Sequence, residues 1–362
     1  MTSPEQNRGV TRPDLAGVPA YKPGRTPENV SKELGVPHAI KLASNEMPFG
    51  PLPGVTEAVV EAVTRLHRYP DMFAVALRAK IAARHGLTQD HVLTGCGSVA
   101  LCEILALATA THGDEIIFGW RSFEAYPIIT TRTGADPIRV PLTSDNRLDV
   151  NGMLAAVTPR TRLIFVCTPN NPTGTSITRD ELEHLLSEVP DNVLIVLDEA
   201  YREFSTDPDT VDGLDYIDRP NVAVVRTFSK AWGLAGARIG YAMASSQLIE
   251  AAGKVLTPFS STLPAQAAAV AALDAEEEMR RRVNIITSER ERVHETLTAY
   301  LPVPASQANF VWLPLGDRTT EFGHNCERQG IIVRAFDGEG VRVTIGTPHE
   351  NDAFLKVAEK LL

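Results

Sequence analysis

Seven short runs, at 91–94, 115–118, 137–140, 163–166, 193–197, 222–225 and 239–242, are apolar along most of their length, and helical patterning lies between several of them, notably at 98–110, 178–188 and 244–256. Runs this short and this apolar belong in a sheet buried on both faces, and intervening helices make most of its connections parallel. The expected class is therefore α/β, with a large domain on a mainly parallel seven-stranded sheet. In such sheets ligands bind beyond the carboxyl ends of the strands, so the residues that follow each run are the place to look for chemistry.

Run 91–94 leads into Thr94-Gly-Cys-Gly-Ser-Val-Ala100, a glycine turn opening a helix. Free backbone N–H groups and the positive end of the helix dipole make that turn a phosphate seat, with the Ser98 hydroxyl as an added donor. Run 115–118 brings aromatic rings to the same edge through Gly119-Trp-Arg-Ser-Phe-Glu-Ala-Tyr126. Run 163–166 is followed by Cys167-Thr-Pro-Asn-Asn-Pro-Thr-Gly174, whose prolines and glycine fix a loop that presents Asn171 as a donor. Run 193–197 ends in Asp198-Glu-Ala-Tyr201, and an aspartate there is costly to bury unless something positive meets it. Run 222–225 enters a loop with Lys230 and, eight residues later, Arg238; Ala231, Gly233, Ala235, Gly236 and Ala237 let backbone approach a ligand closely.

A phosphate seat, an aromatic plate, an amide donor, a carboxylate, a tyrosine and a lysine form the set needed to hold pyridoxal 5'-phosphate. On that reading Lys230 condenses with the cofactor aldehyde, Asp198 keeps the ring nitrogen protonated, and Asn171 and Tyr201 donate to the phenolate oxygen. Ser229 and Arg238 become phosphate ligands. Lys230 then carries the proton from the substrate's α carbon, which needs a neutral amine, and the charge of Arg238 is expected to depress its pKa.

Asn170-Asn-Pro-Thr-Gly174, Asp198-Glu-Ala-Tyr201 and Ser229-Lys-Ala231 through Arg238 resemble the signature blocks of the class II branch of fold-type I pyridoxal-phosphate aminotransferases. Lys41-Leu-Ala-Ser-Asn-Glu46, Arg68-Tyr-Pro-Asp71 and the segment around Tyr21 resemble the histidinol-phosphate aminotransferase family, and the Gly-Cys-Gly-Ser and Trp-Arg-Ser-Phe-Glu stretches its aromatic-amino-acid (phenylalanine) members. The resemblance spans about residues 12–358. It implies that Phe123 stacks on the cofactor ring and that Gly97, Ser98 and Val99 bind its phosphate. It implies that Tyr69 reaches the phosphate of a neighbouring subunit, which makes the active unit a homodimer with shared sites. It also implies that Arg342 clamps the substrate carboxylate, with Arg334, Asn45 and Tyr21 nearby. Val99-Ala100-Leu101 stands where many relatives carry an acidic pair, and Met47 where they often carry Asn. Neither departure touches the lysine, aspartate, asparagine and arginine set, so they bear on the substrate rather than on the reaction type.

The expected organisation is an N-terminal arm (1–40), a large cofactor-binding domain (41–260, with 41–70 shared with the small domain), a connecting helix or broken pair of helices (261–300) and a small α+β domain (301–362). The arm's Pro13, Pro19, Pro23, Gly24 and Pro27 disfavour regular structure. A net charge of −10 argues against nucleic-acid and anionic-membrane partners. The four cysteines lack zinc spacing, so no metal is expected; they read as buried free thiols of a reducing cytoplasm. The first residues lack the blocks of a signal peptide, and no apolar run approaches the roughly 18–20 residues needed to span a bilayer, so a cytoplasmic protein is expected.

The leading expectation is transamination of phenylalanine, tyrosine or tryptophan with 2-oxoglutarate. The rival is transamination of histidinol phosphate, with Arg334 and Arg342 gripping a phosphate. Decarboxylation, known in the same family for phosphothreonine, predicts carbon dioxide release without an oxo acid. A cofactor-sensing regulator would need an attached DNA-binding module, for which residues 1–40 offer neither two helical patterns nor a basic patch.

Overall fold

The computed structural model describes residue 10, residues 25–36 and residues 38–362. Tyr21 and most of the expected arm lie outside the described residues. Twelve strands occur among them: β1 (Ile40–Lys41), β2 (Val92–Gly95), β3 (Glu115–Trp120), β4 (Asp136–Pro141), β5 (Thr161–Cys167), β6 (Leu194–Asp198), β7 (Val222–Thr227), β8 (Gly240–Ala244), β9 (Phe310–Leu313), β10 (Ile331–Ile332), β11 (Arg334–Phe336) and β12 (Gly340–Thr344).

The large sheet has the order β2-β8-β7-β6-β5-β3-β4. Only β8 runs antiparallel to its neighbours. All seven expected runs are present, with boundaries shifted by a residue or two. β4 contains Pro137 and Pro141 yet still pairs, because it is the edge strand and has one side free of ladder bonds.

The strands alternate between two cores. On β5, β6 and β7, Ile164, Val166, Ile195, Leu197, Val222 and Val224 face one hydrophobic cluster. Leu163, Phe165, Leu194, Val196, Ala223 and Val225 face the other. This period of two fixes which face each residue beyond a strand end inherits. Truncating one of these fully buried leucines to alanine costs about 2–5 kcal/mol.

β9, β12 and β11 form a separate antiparallel sheet, in which Arg334 on β11 lies opposite Arg342 on β12. β1 pairs in parallel with β10. The helix Pro27–Leu34 departs from the irregular structure expected before residue 40. Thr26 caps it through the N–H of Asn29, Pro27 sits in its first turn where no donor is needed, and Gly35 ends it at φ 67°. Over 261–300 the chain forms two helices, Leu263–Asp274 and Glu276–Thr298, broken at Ala275.

Candidate active site

The loops after β2, β3, β5, β6 and β7 converge with β11, β12 and residues 43–45 on one cavity of about 220 Å³. The glycine turn after β2 ends in Gly97 at φ 80°, where the helix Gly97–Thr109 begins. A Cβ on Gly240 would lie 2.8 Å from the Ser98 nitrogen, so close approach of backbone requires that glycine, while Gly97 is required by its left-handed backbone, with Nη2 of Arg238 lying 2.6 Å from where its Cβ would be. Arg238 itself holds the left-handed backbone (φ 56°), a costly state for a side chain of its size and a mark of functional sites. Its Nη1 donates to Ser229 Oγ (3.3 Å) and to the Ala235 carbonyl (3.0 Å). Ser98, Val99, Ser229 and Arg238 all line the cavity, next to a helix N-terminus.

Phe123 forms another wall. Its ring meets Tyr126 edge-on at 5.6 Å, and Tyr126 stacks on Phe165 at 4.4 Å. Tyr126 also donates its hydroxyl to Oδ2 of Asp198 (2.8 Å), with Cys102 Sγ at 3.9 Å from the same oxygen. Oδ1 of Asp198 has no hydrogen-bond partner among the described residues although it is buried. Burial raises the Asp198 pKa, opposed by Tyr126, the Ala200 N–H, Cys102 and the charge of Lys230. The sequence led to the expectation of a positive partner for this carboxylate; within the chain, neutral donors hold one oxygen and leave the other open.

Asn171 accepts from Arg342 Nη1 through its side-chain oxygen (2.5 Å), so its amide nitrogen is the group it offers to the cavity. Arg342 Nη2 donates to the Ala43 carbonyl (2.6 Å). The Tyr201 hydroxyl accepts from Asn45 Nδ2 (2.9 Å), and burial pushes its pKa up, so it stays a donor. Asn45, expected near the substrate, lines the cavity and is also tied to β12, accepting at Oδ1 from the Thr344 hydroxyl (2.9 Å).

Lys230 donates to the Ser44 carbonyl (3.1 Å), and its Nζ lies 5.6 Å from the centre of the Tyr201 ring. Its pKa is lowered to about 7, first by burial and then by the charge of Arg342. The sequence reading assigned this effect to Arg238, but Arg238 is a lesser contributor, and Glu46 acts in the opposite direction.

Arg334 lines the same cavity and donates through Nη2 to Glu124 Oε2 (2.8 Å). Tyr69 is not in the cavity; it is 82% exposed, and its ring stacks on Phe259 at 4.7 Å. Cys102, Cys167 and Cys326 are buried and free, whereas Cys96, expected to be buried, is exposed at the N-cap of the helix Gly97–Thr109. Sequence reasoning did not assign roles to Tyr126, Glu124, Phe336 or Ser44. Tyr126 and Glu124 stood in the stretch read only for its aromatic rings, and no spacing rule connects them to Asp198 or Arg334, 72 and 210 residues away.

The cavity thus brings together a lysine with a pKa of about 7, a buried carboxylate with an open acceptor and a helix N-terminus, at the carboxyl edge of a mainly parallel sheet. Residues 37–357 match the family described as Aminotransferase class I and II, and the chain belongs to that family. It is 51% identical over 351 residues to a protein of Streptomyces coelicolor called aromatic amino acid aminotransferase, covering 96% of each chain. It is 52% identical over 347 residues to one of the same name from Mycobacteroides abscessus, covering 95% of this chain and 97% of that one. Among solved structures it superposes with a TM-score of 0.86 on histidinol-phosphate aminotransferase from Sinorhizobium meliloti, determined in complex with pyridoxal-5'-phosphate, at 26% identity over 98% of this chain and 99% of that one. The fold is thus the fold-type I aminotransferase architecture that the sequence led one to expect.

Proposed function

We propose that this aminotransferase uses pyridoxal 5'-phosphate to move the amino group of an aromatic L-amino acid (phenylalanine, tyrosine or tryptophan) to 2-oxoglutarate, giving the aromatic 2-oxo acid and L-glutamate. The observation that carries the cofactor reading is Asp198: a carboxylate buried with one oxygen open fits a protonated ring nitrogen, which supplies the missing donor. When bound, the cofactor supplies an aldehyde that links to amines and a ring that takes up the electron pair of the substrate's α carbon. Gly97, Ser98, Val99, Ser229 and Arg238 would hold its phosphate, Phe123 would cover its ring, and Asn171 Nδ2 with the Tyr201 hydroxyl would donate to its phenolic oxygen.

Lys230 moves the proton. A pKa of about 7 makes its amine half neutral near physiological pH, which matches a general base to its working range. Arg342 receives the substrate carboxylate as a bidentate partner, and Asn171 Oδ1 keeps its guanidinium aimed at the cavity.

Two observations support the aromatic substrate. Phe123 and Phe336 are apolar surfaces in the cavity, and the relatives at 51–52% identity bear that name. We also infer a cytoplasmic homodimer. Val60, Val63, Leu66, Tyr69, Phe73 and Val75 are exposed within one short stretch, which supports a partner there and a route for Tyr69 to the partner's phosphate seat. The test is the absorbance-monitored half-reaction of the loaded enzyme with L-phenylalanine and L-histidinol phosphate under identical conditions. A higher kcat/KM for phenylalanine is expected; a clear preference for histidinol phosphate would move the enzyme to the rival reading.

A further inference from the structure

We propose that Glu124 determines substrate specificity by occupying Arg334, so that the cavity rejects side chains ending in a strong anion such as a phosphate monoester. The inference rests on the aromatic reading above and names the residue that enforces it.

Arg334 and Arg342 are direct cross-strand partners on β11 and β12, and both line the cavity. Like charges placed opposite each other repel, and a pair of guanidinium groups at one cavity is an inviting site for a dianion. Glu124 changes that balance. It stands at the N-terminal end of the helix Ala125–Thr133, where the helix dipole favours a negative charge, and it accepts from Arg334 Nη2 at 2.8 Å. The pair is mostly shielded from water, with side-chain exposures of 18% for Arg334 and 30% for Glu124. Glu124 itself lines the cavity, so an incoming anion meets its charge as well as a guanidinium already engaged.

The neighbourhood repeats the device. Arg334 and Arg121 each lie over the Phe336 ring at 5.4 Å, and Arg121 is held by both carboxylate oxygens of Glu339 (3.0 and 2.9 Å from Nε); Arg342, 6.0 Å from the same ring, is the cation that takes the substrate's own carboxylate. Arg334 and Arg121 thus each have their own carboxylate. The region around Phe336 offers a side chain planar, locally neutralised surfaces and an aromatic face, which suit a neutral ring and not a phosphate. A glutamate side chain, with one negative charge, is an intermediate case: it must displace Glu124 from Arg334 to be held there.

The test uses the cofactor-loaded enzyme, with wild type, Glu124→Gln and the double variant Glu124→Gln/Arg334→Gln. In Glu124→Gln the ratio of kcat/KM for L-histidinol phosphate to that for L-phenylalanine should rise about tenfold or more, and the ratio for L-glutamate to L-phenylalanine should rise by less. Inorganic phosphate, as a competitive inhibitor against phenylalanine, should bind the variant more tightly. The double variant should lose the gain for both anions. A ratio unchanged within about twofold, or an equal fall for every substrate, would overturn the proposal, the latter because a merely structural role loosens the loop for all ligands alike. Retention of the gain in the double variant would also overturn it, since Glu124 would then act by repulsion alone. Failure of the aromatic reading is seen separately, as wild type that does not turn over phenylalanine, while phosphate inhibition in the variants, then measured against L-histidinol phosphate as substrate, still reads out Glu124.

Discussion

Asp198 and Glu199 are neighbours in sequence at the end of β6, are both buried, and face opposite sides of the sheet, as the alternation along that strand dictates. Glu199 is saturated. It accepts from Arg226 Nε and Nη2 (2.9 and 2.7 Å) and from the Gly213 N–H (2.6 Å), and Arg226 also meets Asp212 (2.7 Å). Asp198 is held by a tyrosine and a thiol at one oxygen and left open at the other. A buried carboxylate that serves the fold has both oxygens answered by the chain, whereas one that serves chemistry keeps an acceptor for a group the chain does not contain. The difference separates structural from functional charge where sequence spacing cannot, because both acids lie in the same four-residue block.

Three substitutions probe that division, beginning with the largest effect. Lys230→Ala removes the amine proposed to move the proton, and transamination should fall by about four orders of magnitude, measured as kcat with phenylalanine and 2-oxoglutarate. Undiminished turnover would remove Lys230 from the mechanism. Glu199→Ala strands the buried Arg226 with Asp212 alone, and should lower folding stability by about 3–5 kcal/mol in urea titration. Asp198→Ala should invert the pattern, with kcat down about 10²–10³-fold and a smaller loss of stability, about 1–3 kcal/mol, since it leaves only the neutral Tyr126 hydroxyl and Cys102 thiol without their acceptor. If Asp198→Ala proved the more destabilising of the two, the contrast drawn from the open oxygen would fail.

Tyr126→Phe sharpens the contrast at a smaller scale. Removing its hydroxyl leaves the second Asp198 oxygen to the Cys102 thiol alone and makes the carboxylate a less well-aimed partner, so cofactor affinity should drop by about three- to tenfold, read from the dissociation constant of the loaded enzyme. An unchanged constant would show that Phe123 and the phosphate seat alone position the ring.

The sheet and the cavity-lining residues at its carboxyl edge were legible because each depends on a local signal. An apolar run identifies a buried strand, and the residue just past its end is thereby at the binding edge, which covers Ser98, Asn171, Asp198 and Lys230. What was not legible depends on contacts between distant segments. The hydrogen bond of Tyr126 to Asp198 and the pairing of Glu124 with Arg334 come from packing of one loop on another, and the registration of Arg334 against Arg342 from the turn that pairs β11 with β12. The helix Pro27–Leu34 was missed for a different reason: proline was counted as a breaker without regard to its position in the first turn, where it favours a helix. The dominant cause of the Lys230 shift also escaped the sequence, since burial depends on the whole cavity and the nearest cation along the chain is not the one with the larger effect.

The two cations that flank this loop extend the comparison, and the smallest effect follows from them. Arg226 stays charged: burial works against it, but Glu199 and then Asp212 and Glu203 overcome the cost and raise its pKa. At Lys230 the charge of Glu46 does not offset burial and Arg342, which bring its pKa from 10.5 to about 7. Between those two values the unfolded chain binds a proton at this lysine that the folded chain does not, so the cofactor-free protein should gain stability as pH rises from about 7 towards 10.5. The amine is neutral, and able to add to an aldehyde, above the lower value. Recombination of the cofactor-free enzyme with pyridoxal phosphate should therefore accelerate through a midpoint near 7. Arg342→Gln removes the second-largest cause and leaves burial in place, so the midpoint should move upward by about one unit or less. A midpoint near that of an ordinary lysine in the unaltered enzyme would remove the basis for a half-neutral amine. A midpoint that does not move in Arg342→Gln would mean that burial alone sets it, leaving Arg342 with only the substrate carboxylate to hold.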